Sequence, residues 1–96
     1  MKILIAKIAE KEFDEAKEFY EIEQPGLGTR FAKEIRKSLL RILQFPTAWP
    51  LERKEIHHYI LHKFPYKILY SVRKNEIVVL AFAHLHRNPD YWIERI

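Results

Sequence analysis

The chain has no cysteine and only two glycines in 96 residues. Without thiols it can build neither a disulfide framework nor a thiolate metal site, and it fits a reducing cytoplasm. No apolar run approaches the ~20 residues a membrane span needs; no uncharged run is longer than Ile77–His86. Met1–Ala6 looks like the start of a signal peptide, but Lys7 ends the apolar run too early. No internal repeat, low-complexity tract or composition shift marks a second domain. Residues 1–96 are therefore expected to form one domain with a single modest core and no membrane partner. Gly26 and Gly28 do not make a phosphate loop, because they lie between two helical patterns rather than after a strand.

What is present is globular. Hydrophobic residues make up 48% and charged residues 31%, which excludes a disordered chain. The net charge of +4 is unevenly spread. Glu10–Glu23 holds seven acids and two lysines, a net of −5, so the remainder carries +9. A basic body with one acidic stripe points to a polyanionic target or an acidic partner.

Tyr66, Ile68, Tyr70 and Val72 alternate with Lys67, Leu69, Ser71 and Arg73, the period of a strand with one apolar face. Ile77–Ala83 is apolar on both parities and predicts a central strand covered on both sides. Lys74-Asn75 between them predicts a tight hairpin. Lys2–Lys7 predicts a first strand inside the sheet, and Glu55–His62 a further strand. Phe13, Ala16, Phe19 and Tyr20 place a helix over Ala9–Glu23. A second helix starts at a Gly28 or Thr29 cap and runs to Gln44, with Phe31, Ile35, Leu39 and Ile42 as its core face and Ser38 beside them. The expected fold is α+β, in the order β-α-α-β-β-β, with a helical hairpin packed on a small twisted, mostly antiparallel sheet.

The ordered series of residues resembles the RelE/ParE toxin superfamily of bacterial toxin–antitoxin modules, also called plasmid-stabilisation proteins. The resemblance covers nearly the whole chain. It rests on Glu12–Tyr20 with Ala16, on Pro25-Gly26-Leu27-Gly28 followed by Phe31 and Glu34-Ile35, and on Pro46 and Trp49-Pro50. Its most specific parts are Phe64-Pro65-Tyr66-Lys67-Ile68-Leu69-Tyr70 and His84-x-x-Arg87-x-Pro89-x-Tyr91-Trp92. The resemblance implies a small toxin, with no cofactor, neutralised by a cognate antitoxin as a homodimer or a heterotetramer. The target expected is messenger RNA on the ribosome, cut as RelE-like members cut it; the alternative is DNA gyrase, poisoned as ParE-like members poison it without RNase activity. His57-His58 stands where relatives commonly have two basic residues, so no phosphate-binding role carries over there.

Metal-independent RNA cleavage needs a base, cationic donors for the phosphorane-like charge and an acid. His84 or His86 can move the proton. Arg87 and Lys67 can hold the phosphate, and Tyr91 can stack on a base or donate a proton. These five residues are the catalytic expectation. The alternative for each is structural: His84 as a hydrogen-bonded strand end, Arg87 as an ion-pair partner of Asp90, Lys67 as a solvated residue, and Tyr91 and Trp92 as a cap on the core. His84-x-His86 with His58 or His62 has the spacing of a zinc site, but the sequence supplies no cysteine and no carboxylate pattern to complete it. The basic outer side of the second helix (Arg30, Lys33, Arg36, Lys37, Arg41) is expected to receive an acidic antitoxin tail that folds on binding.

Overall fold

A computed structural model describes residues 1–96. Its elements are β1 (Lys2–Ile5), α1 (Lys7–Glu23), α2 (Leu27–Gln44), β2 (Leu51–Arg53), β3 (Ile56–Ile60), β4 (Tyr66–Arg73), β5 (Glu76–His84) and a last 3-10 turn (Ile93–Arg95). The five strands form one sheet in the order β1-β5-β4-β3-β2. Neighbours are antiparallel except β1 and β5, which run parallel. The two helices cover one face, so the domain is α+β as expected.

Two strand expectations change. β1 lies at the edge of the sheet, not inside it. Ile3 and Ile5 pack on the core under the helices, but Leu4 is exposed, so the apolar run of β1 is covered on one face only. The strand expected over Glu55–His62 is β3, but the link before it holds a further short strand, β2, which turns through a left-handed Lys54 (φ 51°) into β3.

The helices start without side-chain caps of their own. α1 begins at Lys7, ahead of the expected Ala9, and α2 begins at Leu27 with Gly26 (φ 89°) as its N-cap. Glu21 of α1 takes over that duty for α2. Its carboxylate accepts the backbone N–H of Gly26 at 2.9 Å and of Gly28 at 3.1 Å, which also ties the two helices together. A Cβ on Gly28 would lie 2.6 Å from the carbonyl oxygen of Lys17. Only glycine allows this approach.

The buried stripe of α2 is Phe31, Ile35, Ser38 and Ile42. Ile42 is fully buried as expected, but Leu39, expected in the same core face, is only half-buried. The stripe packs on the inner sheet face with Ile68, Tyr70, Ile77, Val79 and Phe82. The outer face has a second cluster, Ile56, Leu69, Leu80, Ala81 and Ala83 under the fully buried Trp92. β5 changes parity within itself. Tyr70 pairs with Val79 but Leu69 pairs with Ala81, so Leu80 is an extra residue. This β-bulge puts Leu80 and Ala81 on the same face and turns Phe82 and His84 inward. The parity that joined Val78, Leu80, Phe82 and His84 in the sequence is therefore broken.

Candidate functional site

Lys67 and His84 are close in register but diverge. Lys67 pairs with Ala83, and Tyr66 pairs with His84. The lysine thus leaves the outer face beside Leu69, and the imidazole leaves the inner face beside Tyr66. His84 stands edge-on to Tyr66 with centroids 5.0 Å apart, and its Nδ1 accepts the backbone N–H of His86 at 3.1 Å. A neutral His84 therefore carries its proton on Nε2. The exposed His86 ring lies 5.2 Å from it. Lys67 Nζ is held by Glu52 Oε2, and each of these side chains is only 16% exposed. His58 Nδ1 lies 3.2 Å from the other oxygen of Glu52. His57 faces the opposite way, stacked on Tyr70 with Nδ1 donating to the Trp49 carbonyl at 2.7 Å. No three His, Asp or Glu side chains converge as a metal site would require. The cleft between Lys67, His84, Arg87 and Tyr91 measures about 50 Å³, the space of a water or two.

Arg87 and Tyr91 belong to a different arrangement, built around Glu12. β1 pairs with β5 only as far as Val79, which leaves backbone groups of β5 open beyond it. Glu12 of α1 reaches that edge, and its Oε1 accepts the Phe82 N–H at 3.1 Å. Arg95 donates to the Leu80 carbonyl at 3.1 Å and to both oxygens of Glu12 at 2.9 and 3.0 Å. The Tyr91 hydroxyl donates to Glu12 Oε2 at 2.6 Å. Arg87 lies flat over the Tyr91 ring, its guanidinium carbon 3.7 Å from the centroid, with Nη1 3.6 Å from the same Glu12 oxygen. Burial pushes the Tyr91 phenol well above its usual range, and the bond to Glu12 adds to this. The phenol therefore stays a donor. Burial works against the charge of Arg95, but Glu12 outweighs it and raises its pKa. Asp90 pairs with Arg53 at 2.8 Å rather than with Arg87.

Glu12, Glu52 and Arg95 are absent from the candidates the sequence suggested. Glu12 does carry a signal there. It falls within the stripe formed by Ala9, Phe13 and Ala16, where an acid needs a partner.

The basic residues of α2 are all exposed, but they divide between two grooves. The first, about 620 Å³, lies between α1 and α2. Phe13, Ile35, Leu39 and Phe82 are among its apolar lining, Lys33 and Arg36 stand on one wall, and Glu10, Asp14 and Lys17 stand on the other. The second, about 670 Å³, runs between α2 and the β3–β4 connection. Arg30, Lys37 and Arg41 line it on the helix side, His62 and Lys63 on the far side, and Lys33 borders both grooves. Glu34 joins the two walls by accepting the backbone N–H groups of His62 at 2.6 Å and Lys63 at 3.0 Å.

No helix is long and apolar enough to cross a membrane. The fold is similar to that of a chain from the chromosomal ParDE toxin–antitoxin system of P. aeruginosa, with a TM-score of 0.79 at 17% sequence identity, covering 90% of this chain and 97% of that one. No curated protein matches the sequence significantly. Residues 3–89 match the family described as the ParE toxin of the type II toxin–antitoxin system parDE. With nearly the whole chain covered, from β1 through the loop after β5, the protein belongs to the ParE toxin family within the RelE/ParE superfamily.

Proposed function

We propose that this toxin arrests growth by binding DNA gyrase and does not cut messenger RNA. The observation that carries the proposal is the engagement of Lys67 by Glu52, and of Arg87 and Tyr91 by Glu12. Cleavage needs base, phosphate cradle and acid turned toward one reacting group. Here the lysine and the imidazole leave opposite faces of the sheet. A phenol whose pKa is raised by burial and by Glu12 is also a poor proton donor near neutrality. The ParE family match points the same way.

A metal-independent endoribonuclease is the second reading. It is favoured by His84 and His86, whose rings stand together beside the exposed Arg87. It requires Arg87 to leave Tyr91 and Lys67 to leave Glu52.

The neutralising partner proposed is the cognate antitoxin, through an acidic, amphipathic segment. The apolar lining of the α1–α2 groove, with Lys33 and Arg36 on its rim, suits such a segment. The open side of β1 offers backbone groups to an added strand.

The test is induction of the toxin in growing cells, followed by mapping of transcript ends and capture of gyrase–DNA cleavage complexes. The expected result is growth arrest with trapped complexes and intact transcripts. Newly cut transcripts with free gyrase would establish the second reading.

A further inference from the structure

We infer that the groove between α2 and the β3–β4 connection is a binding site for single-stranded nucleic acid, held by its phosphodiester backbone. Arg30, Lys37 and Arg41 follow one face of α2 at intervals of seven and four residues. At about 1.5 Å per residue they space three cations over roughly 16 Å. His62 and Lys63 face them across the trough. The separation of the two walls is fixed, because Glu34 on α2 accepts both backbone N–H groups of the far wall. Glu34 is also the one carboxylate lining the groove, and that contact occupies it.

The lining between the walls is aromatic. Tyr20 and Phe64 are half-buried there, their centroids 4.9 Å apart. Tyr59 accepts a hydrogen bond from Arg41 Nη1 at 3.3 Å, which positions that guanidinium over the trough. Opposed cations with ring surface between them form the arrangement that tracks a single strand by its phosphates and stacks its bases.

The neighbouring groove is built for something else. Its lining is mainly apolar, and Glu10 and Asp14 offset two of its three cations, Lys17, Lys33 and Arg36. An amphipathic acidic peptide finds its apolar strip there and not in the second groove. A duplex would rest on the rims instead of lying between the walls.

The test is fluorescence anisotropy of a labelled 12-nucleotide DNA strand with the purified chain, across a range of salt. Three to four phosphate contacts give a log–log salt slope of about −2 to −3, at about 0.7 per contact. Replacing two cations through Arg30→Ser with Lys37→Ser is expected to weaken binding about tenfold or more at low salt and to flatten the slope by about 1.4. Arg36→Ser, which removes one charge from the other groove as each single variant does from this one, is expected to alter neither quantity. The single variants Arg30→Ser and Lys37→Ser, each checked by thermal melting, carry the comparison if the double variant does not fold. The inference is overturned by no binding at the lowest salt, or by an equal loss from Arg36→Ser. Tighter binding of the duplex overturns it too. Displacement of the strand by polyglutamate of the same length at equal concentration would assign the groove to an acidic peptide instead.

Discussion

The Tyr91 hydroxyl donates to Glu12 at 2.6 Å, across 79 positions of the sequence. This one bond ties the first helix to the C-terminal segment, and the same carboxylate closes the open edge of β5 at Phe82. Removing it strands a backbone N–H, a phenol and a guanidinium at once. Glu12→Ala is expected to cost about 3–5 kcal/mol, the range for breaking a largely buried charge pair. Tyr91→Phe removes one bond to a charged group and is expected to cost about 1.5–3 kcal/mol. Urea titration of both variants and of the double variant checks this, and the double variant should lose less than the two costs added together.

Alkaline pH should unfold the protein through its tyrosines. Burial pushes Tyr70 up to about 12, and its hydroxyl donates to the Pro46 carbonyl at 2.7 Å. Tyr91 is raised further by burial and by Glu12. Unfolded tyrosines release their protons near pH 10 while these hold theirs, so the folded state binds more protons. Their contribution is full below about pH 10 and falls as pH rises toward 12. Tyr70→Phe should flatten that fall, measured as denaturation midpoint against pH. An unchanged slope would mean that other groups control it.

The core of α2 makes a ranked prediction. Ile42 is fully buried, whereas Leu39 is half-buried on the rim of the α1–α2 groove. Ile42→Ala should cost about 2–5 kcal/mol, and Leu39→Ala less than half of that. Equal losses in a denaturant titration would place the helix in a different register.

How far the sequence discloses all this depends on whether a signal is local. The period of two in β4 is legible because Lys67, Ser71 and Arg73 mark its outer face even where Leu69 is buried there, and the helical spacing in α2 because one of its faces is solvated. β5 is legible as a central strand covered on both sides, but its apolar run on both parities hides the extra residue at Leu80 that turns His84 inward. The edge strands β1 and β2 are set by pairing with distant or very short partners, and composition says little about that. At the site, the residue types were legible and their partners were not. Lys67 looks free until Glu52 is folded onto it, and Arg87 looks free until Glu12 and Tyr91 are. One regularity was within reach. Each helix keeps a glutamate in its buried stripe, Glu12 between Ala9 and Ala16, and Glu34 between Phe31 and Ser38. Each spends it on backbone N–H groups of the sheet or of the loop beside it.

The most direct test of binding against cleavage is made with purified components. The chain is added to gyrase with plasmid DNA and ATP in one reaction, and to ribosomes programmed with a labelled message in another. The engaged states of Lys67, Arg87 and Tyr91 predict accumulation of gyrase–DNA cleavage complexes in the first and an intact message in the second. A message cut in the ribosomal reaction, with cutting abolished by His84→Ala and gyrase unaffected, would contradict the account.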